Sequence, residues 1–459
     1  MSSRLQTRIL AASIAASIAA SIAASIAACI LPFPANADDR SQAENALGTA
    51  SGESRRSHEL AGERAPFRCD TFTAAPDFIV GIEKCGANTL SNAAPADGGM
   101  ELASLRDEHR TEIRRILDSR TIPTHALRFH RKSNGDAAIT PLFDYYRHPG
   151  PPDAASASAT AKEAFGSLRK QVAALVAERK ATHVILFSAG WHMEQADAVA
   201  GAGWMLDTLS AQSARCGIRF RPVTIVLTWP AGPRETGPLA KLAQVADYPR
   251  RSDDADEIGI VWGSRIIESV VIPAAGKARA VAIGHSLGAR LLSSAVAARA
   301  LLPENERVSR GQKLDTLIGL QAAFPRDRFV HIDSDAPGNS ATKGVYAGIF
   351  HSLAHALFTT SANDHIVRTI GAPRNLPFGV GRAAPVEHYM GSYMTSADIP
   401  SYPAFSDVFE PMWPHTTLLS KVPRTPGKVV VADCSEIIGS HNDVWGNAEL
   451  ARLILSAIR

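Results

Sequence analysis

The pentapeptide Gly284-His285-Ser286-Leu287-Gly288 sets a serine between two glycines, after the apolar run 280–283 and before a helix-forming run that begins Ala289-Arg290-Leu291-Leu292. A serine hydroxyl is a weak nucleophile until a neighbouring base takes its proton and fixed donors receive the charge that develops. A strand that turns abruptly into a helix supplies part of that environment. The turn forces the serine into a strained backbone conformation, and the flanking glycines leave room where a side chain would strike neighbouring backbone. Ser286 Oγ then projects above the sheet edge, beside a helix N-terminus that favours negative charge. The backbone N–H of Leu287 falls where an oxyanion donor is needed. The bland reading of the same five residues is a tight β-α turn without chemistry.

Such an elbow needs a sheet to carry it, and the chain around it has the pattern of one. After Pro149-Gly150-Pro151-Pro152 and an Ala/Ser-rich linker, short apolar runs alternate with helical stretches. Strands are expected at 183–187, 222–228, 278–283, 316–322, 355–360 and 428–432. Helices are expected at 161–179, 196–214, 256–271, 287–301 and 447–458. Continuous runs such as Val184-Ile185-Leu186-Phe187 suit strands buried on both faces, as in a parallel sheet built from βαβ units. The fold class expected is α/β, with a mostly parallel central sheet flanked by helices.

On these residues the sequence resembles the α/β-hydrolase superfamily, and more narrowly its bacterial members of unassigned substrate that carry a Gly-Trp in the oxyanion loop. The resemblance covers roughly residues 136–459. It implies the chain order nucleophile, acid, histidine, with both partners downstream of Ser286 at the ends of later strands. The loop Thr359-Thr360-Ser361-Ala362-Asn363-Asp364 is similar to the family's acid loop and points to Asp364, with Asp333 and Asp335 as runners-up. The segment Gly439-Ser440-His441-Asn442-Asp443-Val444-Trp445, just before the terminal helix, is similar to the histidine loop and points to His441. Asp364 would hold the histidine tautomer and stabilise the imidazolium, while His441 would carry the Ser286 proton. Ser188-Ala189-Gly190-Trp191-His192 stands where the family places its oxyanion loop, making the Trp191 N–H the second donor. Family members often have His-Gly there. Ala189 occupies the histidine position, which removes the hydrogen bond that usually steadies the loop.

The chain has 459 residues, 45% hydrophobic and 20% charged, with a formal net charge of +3 and no isolated Lys/Arg block. That balance excludes a largely disordered chain and offers no nucleic-acid footprint. Residues 1–37 read as an export signal: Arg4 and Arg8, an Ala-Ala-Ser-Ile repeat, Pro32 and Pro34, then Ala35-Asn36-Ala37 as cleavage site. The protein is therefore expected to be periplasmic or secreted, without a membrane span in the mature chain. A lipoprotein anchored through Cys29 is the alternative, and an uncleaved anchor a third reading. Residues 38–135 are expected to form an accessory N-terminal segment, flexible in its first part and holding a charged helical stretch near 101–118, with the main domain at 136–459. Cys69 and Cys85 could close a short disulfide loop, whereas Cys216 and Cys434 read equally well as isolated thiols.

Several weaker signals carry no site. His351 and His355 lack an accompanying H-E-x-x-H, the Asp333-Ser334-Asp335 run lacks the acidic twelfth position of a calcium loop, and Lys277 lacks a Walker A glycine. Neither a metal nor a cofactor is expected. The acidic run Asp253-Asp254-Ala255-Asp256-Glu257 most simply caps the helix that follows. The segment 368–428, between acid and base, holds Phe378, Tyr389, Tyr393, Phe405, Phe409 and Trp413 and is expected to be an insertion that forms a lid or pocket wall. What the resemblance implies for function is a serine esterase or lipase-like hydrolase acting on a small or lipid-like acyl substrate. The contrasting expectation is a catalytically silent binding or scaffold protein of the cell envelope on the same fold.

Overall fold

A computed structural model describes residues 75–84, 100–104, 107–117, 121–131, 137–144, 154–191, 193, 195–231, 238–307, 312–332, 341–346, 349–370, 389–391, 407–414 and 421–459. In chain order the strands are β1 (Phe78–Lys84), β2 (Thr121–Arg131), β3 (Ala137–Asp144), β4 (His183–Ser188), β5 (Pro222–Thr228), β6 (Arg279–His285), β7 (Leu314–Leu320), β8 (Val330–Ile332), β9 (Ala341–Lys343), β10 (Leu353–Thr360), β11 (Phe409–Met412) and β12 (Val429–Asp433). Ten of them form one sheet in the order β11-β12-β10-β7-β6-β4-β5-β1-β2-β3, and β8 pairs with β9 separately. From β11 to β1 every neighbouring pair is parallel. β2 runs antiparallel to both β1 and β3.

Successive side chains of a strand point to opposite faces, so the apolar runs of the central strands fill two separate layers. Val184, Leu186, Ala280 and Ala282 enter one layer, where they meet Phe165 and Leu168 of α2 (Ala154–Arg179) and Leu291 of α5 (Leu287–Ala298). Ile185, Phe187, Val281 and Ile283 enter the other, against Leu206 and Leu209 of α3 (Gln195–Arg215) and Leu453 and Ile454 of α8 (Ala448–Ile458). The result is a sheet between two helical layers, as the alternation of strand and helix signals implies. The remaining helices are α1 (Asp107–Ile116), α4 (Pro238–Ile258), α6 (Ile349–Ser352) and α7 (His365–Ile370).

The segment expected as an accessory enters the sheet itself. β1 lies between β5 and β2, and its Phe78, Ile79 and Val80 are fully buried. The boundary expected at residue 136 falls between β2 and β3, two hydrogen-bonded strands, so 78–144 cannot be separated from the core without exposing two strand edges. The expected signal at 1–37, Cys29, Cys69 and Cys85 lie outside the described residues. Of the aromatic residues expected to wall a pocket, Tyr389 and Phe409 are buried in the core, Phe409 on strand β11, and Trp413 is exposed. Phe378, Tyr393 and Phe405 lie outside the described residues.

The acidic run does not start a helix. α4 begins at Pro238 and continues past Ile258 through two π-helical turns, Gly259–Gly263 and Ile267–Val271, to Ala275. Its stretch Tyr248–Ala275 is long and apolar enough to cross a membrane, yet 89% of its most apolar window is buried within the protein. Asp256 is fully buried and accepts from Arg290 Nε and Nη2 at 3.0 and 2.6 Å, Arg328 Nη2 at 3.0 Å and Ser294 Oγ at 2.6 Å. Burial alone would raise its carboxyl, but the two guanidinium groups prevail and hold it at about 2. Because that value lies below the ordinary 3.8, the stabilisation from this network is complete above about pH 5 and is lost as pH falls toward 2. Asp256→Ala leaves two arginines without their common acceptor and is expected to cost about 3–5 kcal/mol. Denaturant unfolding at pH 7 checks it; a loss below about 1 kcal/mol would mean that water takes the carboxylate's place.

Candidate active site

All eight parallel strands end on the same edge, and β4 is flanked by β5 on one side and β6 on the other. The chain therefore leaves β4 in one direction and later returns across it, which opens a crevice at the carboxyl ends of β4 and β6. Ser286 stands at that point. Its φ and ψ are 56° and −123°, a conformation that costs an L-residue on the order of 1–3 kcal/mol. The surroundings hold it: Ser286 N–H donates to the Leu320 carbonyl at 2.9 Å, and its carbonyl accepts from Ala289 at 3.1 Å and Ala323 at 3.2 Å. A Cβ at Gly284 would lie 2.6 Å from Ala289 N, and one at Gly288 would strike the Ser188 carbonyl oxygen. Both glycines of the pentapeptide are therefore required by close approach. Leu287 opens α5, so its N–H is among those a helix leaves without an intrahelical acceptor.

The loop after β4 lies against the serine. A Cβ at Gly190 would sit 2.6 Å from Ser286 Cβ and 3.0 Å from the His285 carbonyl oxygen. The steadying bond that Ala189 cannot supply through its side chain comes from another direction: Trp229, just past β5, donates its indole N–H to the Ala189 carbonyl at 3.1 Å. Trp191 packs edge-on against Tyr248 of α4, with ring centroids 5.2 Å apart.

Asp364 and His441, 77 residues apart in the chain, meet at 2.8 Å between Oδ2 and Nδ1. Asp364 is fully buried. Burial would raise its carboxyl, but His441, the Val367 N–H on Oδ1 at 3.0 Å and the Gln321 amide on Oδ2 at 2.9 Å reverse the shift and keep it ionised. A carboxylate only accepts, so Nδ1 of His441 carries the proton of this bond and Nε2 is the ring nitrogen left for proton exchange. The two loops are joined to each other. Cys434 N–H donates to the Thr360 carbonyl at 2.8 Å, Ser361 Oγ to the Ile438 carbonyl at 2.8 Å, and Asn447 caps α8 through the Leu450 N–H at 2.9 Å.

His285 connects this pair to the elbow. Its Nε2–H donates to the His441 carbonyl at 3.0 Å, its ring lies 4.7 Å from that of His441, and Trp445 packs edge-on against the same His285 ring at 5.1 Å. Burial, then the neighbouring His441, brings its pKa down to about 3, so it stays neutral and adds no charge beside the base. No hydrogen bond joins the Ser286 hydroxyl to His441 in this structure; such contacts are often long until substrate packs them.

The residues expected to act thus divide clearly. Gly284, His285, Ser286, Leu287 and Gly288 stand at the end of β6 and Trp191 in the loop after β4, while Asp364 pairs with His441 past the ends of β10 and β12. Asp333 and Asp335 lie outside the described residues. Cys216 and Cys434 are both free thiols, and burial pushes that of Cys434 up. His355 lies on β10, so no helix face joins it to His351. Trp229, which holds the 189–191 loop, and Gln321, which donates to Asp364, are contributions that sequence reading missed. Neither sits in a recognisable motif; only their places just past β5 and β7 marked them. Comparison with protein-family models, with curated proteins and with solved structures finds no match, so the site is read from its own geometry.

Chemically, the arrangement offers a hydroxyl on a strained turn, an imidazole with one nitrogen fixed on a buried carboxylate, and a free helix-terminal amide. Gly190→Ala places a methyl against Ser286 and forces the 189–191 loop away from it. Labelling of Ser286 by a fluorophosphonate is expected to slow about 100-fold. An undiminished rate in a folded variant would show that this loop does not border the reacting atom.

Proposed function

We propose that this chain is an exported serine hydrolase of the α/β-hydrolase fold, esterase- or lipase-like, that cleaves acyl esters through Ser286, His441 and Asp364. The observation that carries the proposal is the combination of a positive-φ serine between β6 and α5 with a buried Asp364–His441 pair at the ends of β10 and β12, in the chain order nucleophile, acid, histidine. The near-neutral charge of the chain suits an uncharged acyl substrate, whether small or lipid-like.

In this reading Ser286 Oγ attacks the ester carbonyl carbon while His441 Nε2 takes its proton. Asp364 keeps the imidazolium oriented and stabilised through Nδ1–H and is itself not protonated. The N–H groups of Leu287 and Trp191 receive the oxyanion. Collapse of the tetrahedral adduct expels the alcohol, which takes the proton back from His441 and leaves an acyl-Ser286 ester. A water molecule, deprotonated by the same nitrogen, then releases the acid. Carboxylesters are the substrates favoured here, since an ester needs less help with its leaving group than an amide. Chain length and alcohol are set by the walls of the crevice.

The test is a series of acyl esters of graded chain length, together with fluorophosphonate labelling. Wild type is expected to hydrolyse at least one member and to label at Ser286. Ser286→Ala and His441→Ala are expected to lower kcat by about 10⁴- to 10⁶-fold, in proportions that do not add in the double variant. Equal rates in all three proteins would remove the mechanism. A folded wild type that never labels would favour a binding protein that retains the fold.

A further inference from the structure

Residues 320–323, at the end of β7 and just past it, touch three separate parts of the site through four consecutive positions. The Leu320 carbonyl accepts from Ser286 N–H, and Ala323 N–H donates to the Ser286 carbonyl. The Ala322 carbonyl accepts from Gly391 N–H at 3.0 Å, tying in a piece of the segment between acid and base. Gln321 sits between them, fully buried, with φ of 46°. That left-handed conformation favours glycine, and it is occupied instead by a residue with a long amide side chain.

Every hydrogen-bonding group of this side chain is used. Nε2 donates to Asp364 Oδ2 at 2.9 Å and to the Gly391 carbonyl at 3.0 Å. Oε1 accepts from Thr359 Oγ1 at 3.0 Å, and the same hydroxyl oxygen accepts from the Gln321 backbone N–H at 3.0 Å. The opposite amide orientation would turn Oε1 toward a carboxylate and a carbonyl, three acceptors with no proton between them, so the network allows one orientation only. The Asp364 carboxylate is therefore held by three donors, with His441 and Gln321 on Oδ2 and Val367 on Oδ1. Without the amide, it can rotate about its Cβ–Cγ bond, a torsion with broad wells, and Oδ2 loses its fixed direction toward Nδ1.

We infer that Gln321 is a positioning residue for the Asp364–His441 pair, and that through it the 320–323 turn fixes the acid, the nucleophile and Gly391 in one mutual geometry. This rests on the triad proposed above. The residue does not touch substrate. It acts by directing the carboxylate that directs the base, and the strained backbone persists because four hydrogen bonds converge on one side chain and its own N–H.

Two variants test this. Gln321→Gly removes the amide and at the same time relieves the positive φ, so the turn keeps its backbone path; Gln321→Met keeps the volume and loses the donors. Both are expected to lower kcat on the ester series by roughly 10- to 100-fold with KM unchanged, as expected for a misplaced catalytic group. The downfield proton resonance of His441 Nδ1–H, identified by its loss in His441→Ala, is expected to move in both variants. That resonance does not require turnover. If wild type proves inert toward esters and phosphonates, the hydrolase reading fails while the proton signal still decides the role of Gln321. Wild-type kcat and an unmoved resonance in Gln321→Gly would overturn the inference. So would a kcat loss that follows lowered thermal stability with the resonance unmoved, since that pattern belongs to a packing role alone. Should Gln321→Met fail to fold, Gln321→Gly carries the decision.

Discussion

A serine held at φ 56° is the constraint on which the rest of the site depends. Left to itself, an L-residue would leave that conformation, and the turn would relax into an ordinary strand-to-helix connection with its hydroxyl elsewhere. It is kept in place because its N–H and C=O are both committed to the turn after β7, two strands of the sheet being locked in register beside it through Gly284 against Gly319 and His285 against Leu320. The glycines act through absence. At 284, 288 and 190 backbone approaches backbone or the serine itself at distances that admit no Cβ. The strain is thus offset by parallel pairing and close packing, which only a fully formed sheet provides.

The electrostatics of the site separate three buried ionisable groups that stand close together. Asp364 is surrounded by donors and stays charged; His285 is surrounded by rings and stays neutral; His441 lies between them with one nitrogen on the carboxylate. A second charge at His285 would repel the imidazolium that the proposed acyl transfer has to form, so its neutrality is a condition of that proposed mechanism. The contacts of Trp445 with His285 and Phe187, and its close approach to Gly201, show part of how this is arranged: an indole packs edge-on against the neutral His285 ring.

Much of this was legible in the sequence because the relevant signals are local. A strand buried on both faces has to be a continuous apolar run, so β4, β5, β6, β10 and β12 stand within two residues of where apolar runs place them. The pentapeptide fixes its own turn, and the histidine loop announces itself by standing before the last amphipathic helix. What could not be read lies in long-range pairing. β1 is inserted beside β5 by hydrogen bonds across more than a hundred residues and β2 pairs in turn with β1, with nothing in their own composition to distinguish them from a packed accessory. Asp256 reads as a capping residue because its neighbours are acidic, and only the folded chain brings Arg290 and Arg328 to it. Gln321 is an unremarked residue past a strand end until Asp364, Thr359 and Gly391 converge on it.

These hidden contacts follow one logic. α5 begins just after Ser286, and four residues past Ser286 Arg290 is anchored to Asp256 within α4. Gly259, in the π-helical turn that continues α4, packs so closely on the Leu291 carbonyl that the two helices have little freedom to slide. The start of α5 therefore cannot shift without disturbing a buried, charge-paired helix contact, and the Leu287 amide and the Ser286 turn inherit that rigidity. The 320–323 turn does the same from the other side of the serine. An elbow held between a charge-locked helix and a strand-end turn can retain its strain, whereas the crevice above it, bordered by the 189–191 loop, is where the proposed substrate would enter. The strain and the contacts that hold it are thus set by different residues at one sheet edge, which is what allows a strained serine, the proposed nucleophile, to sit in an ordered core.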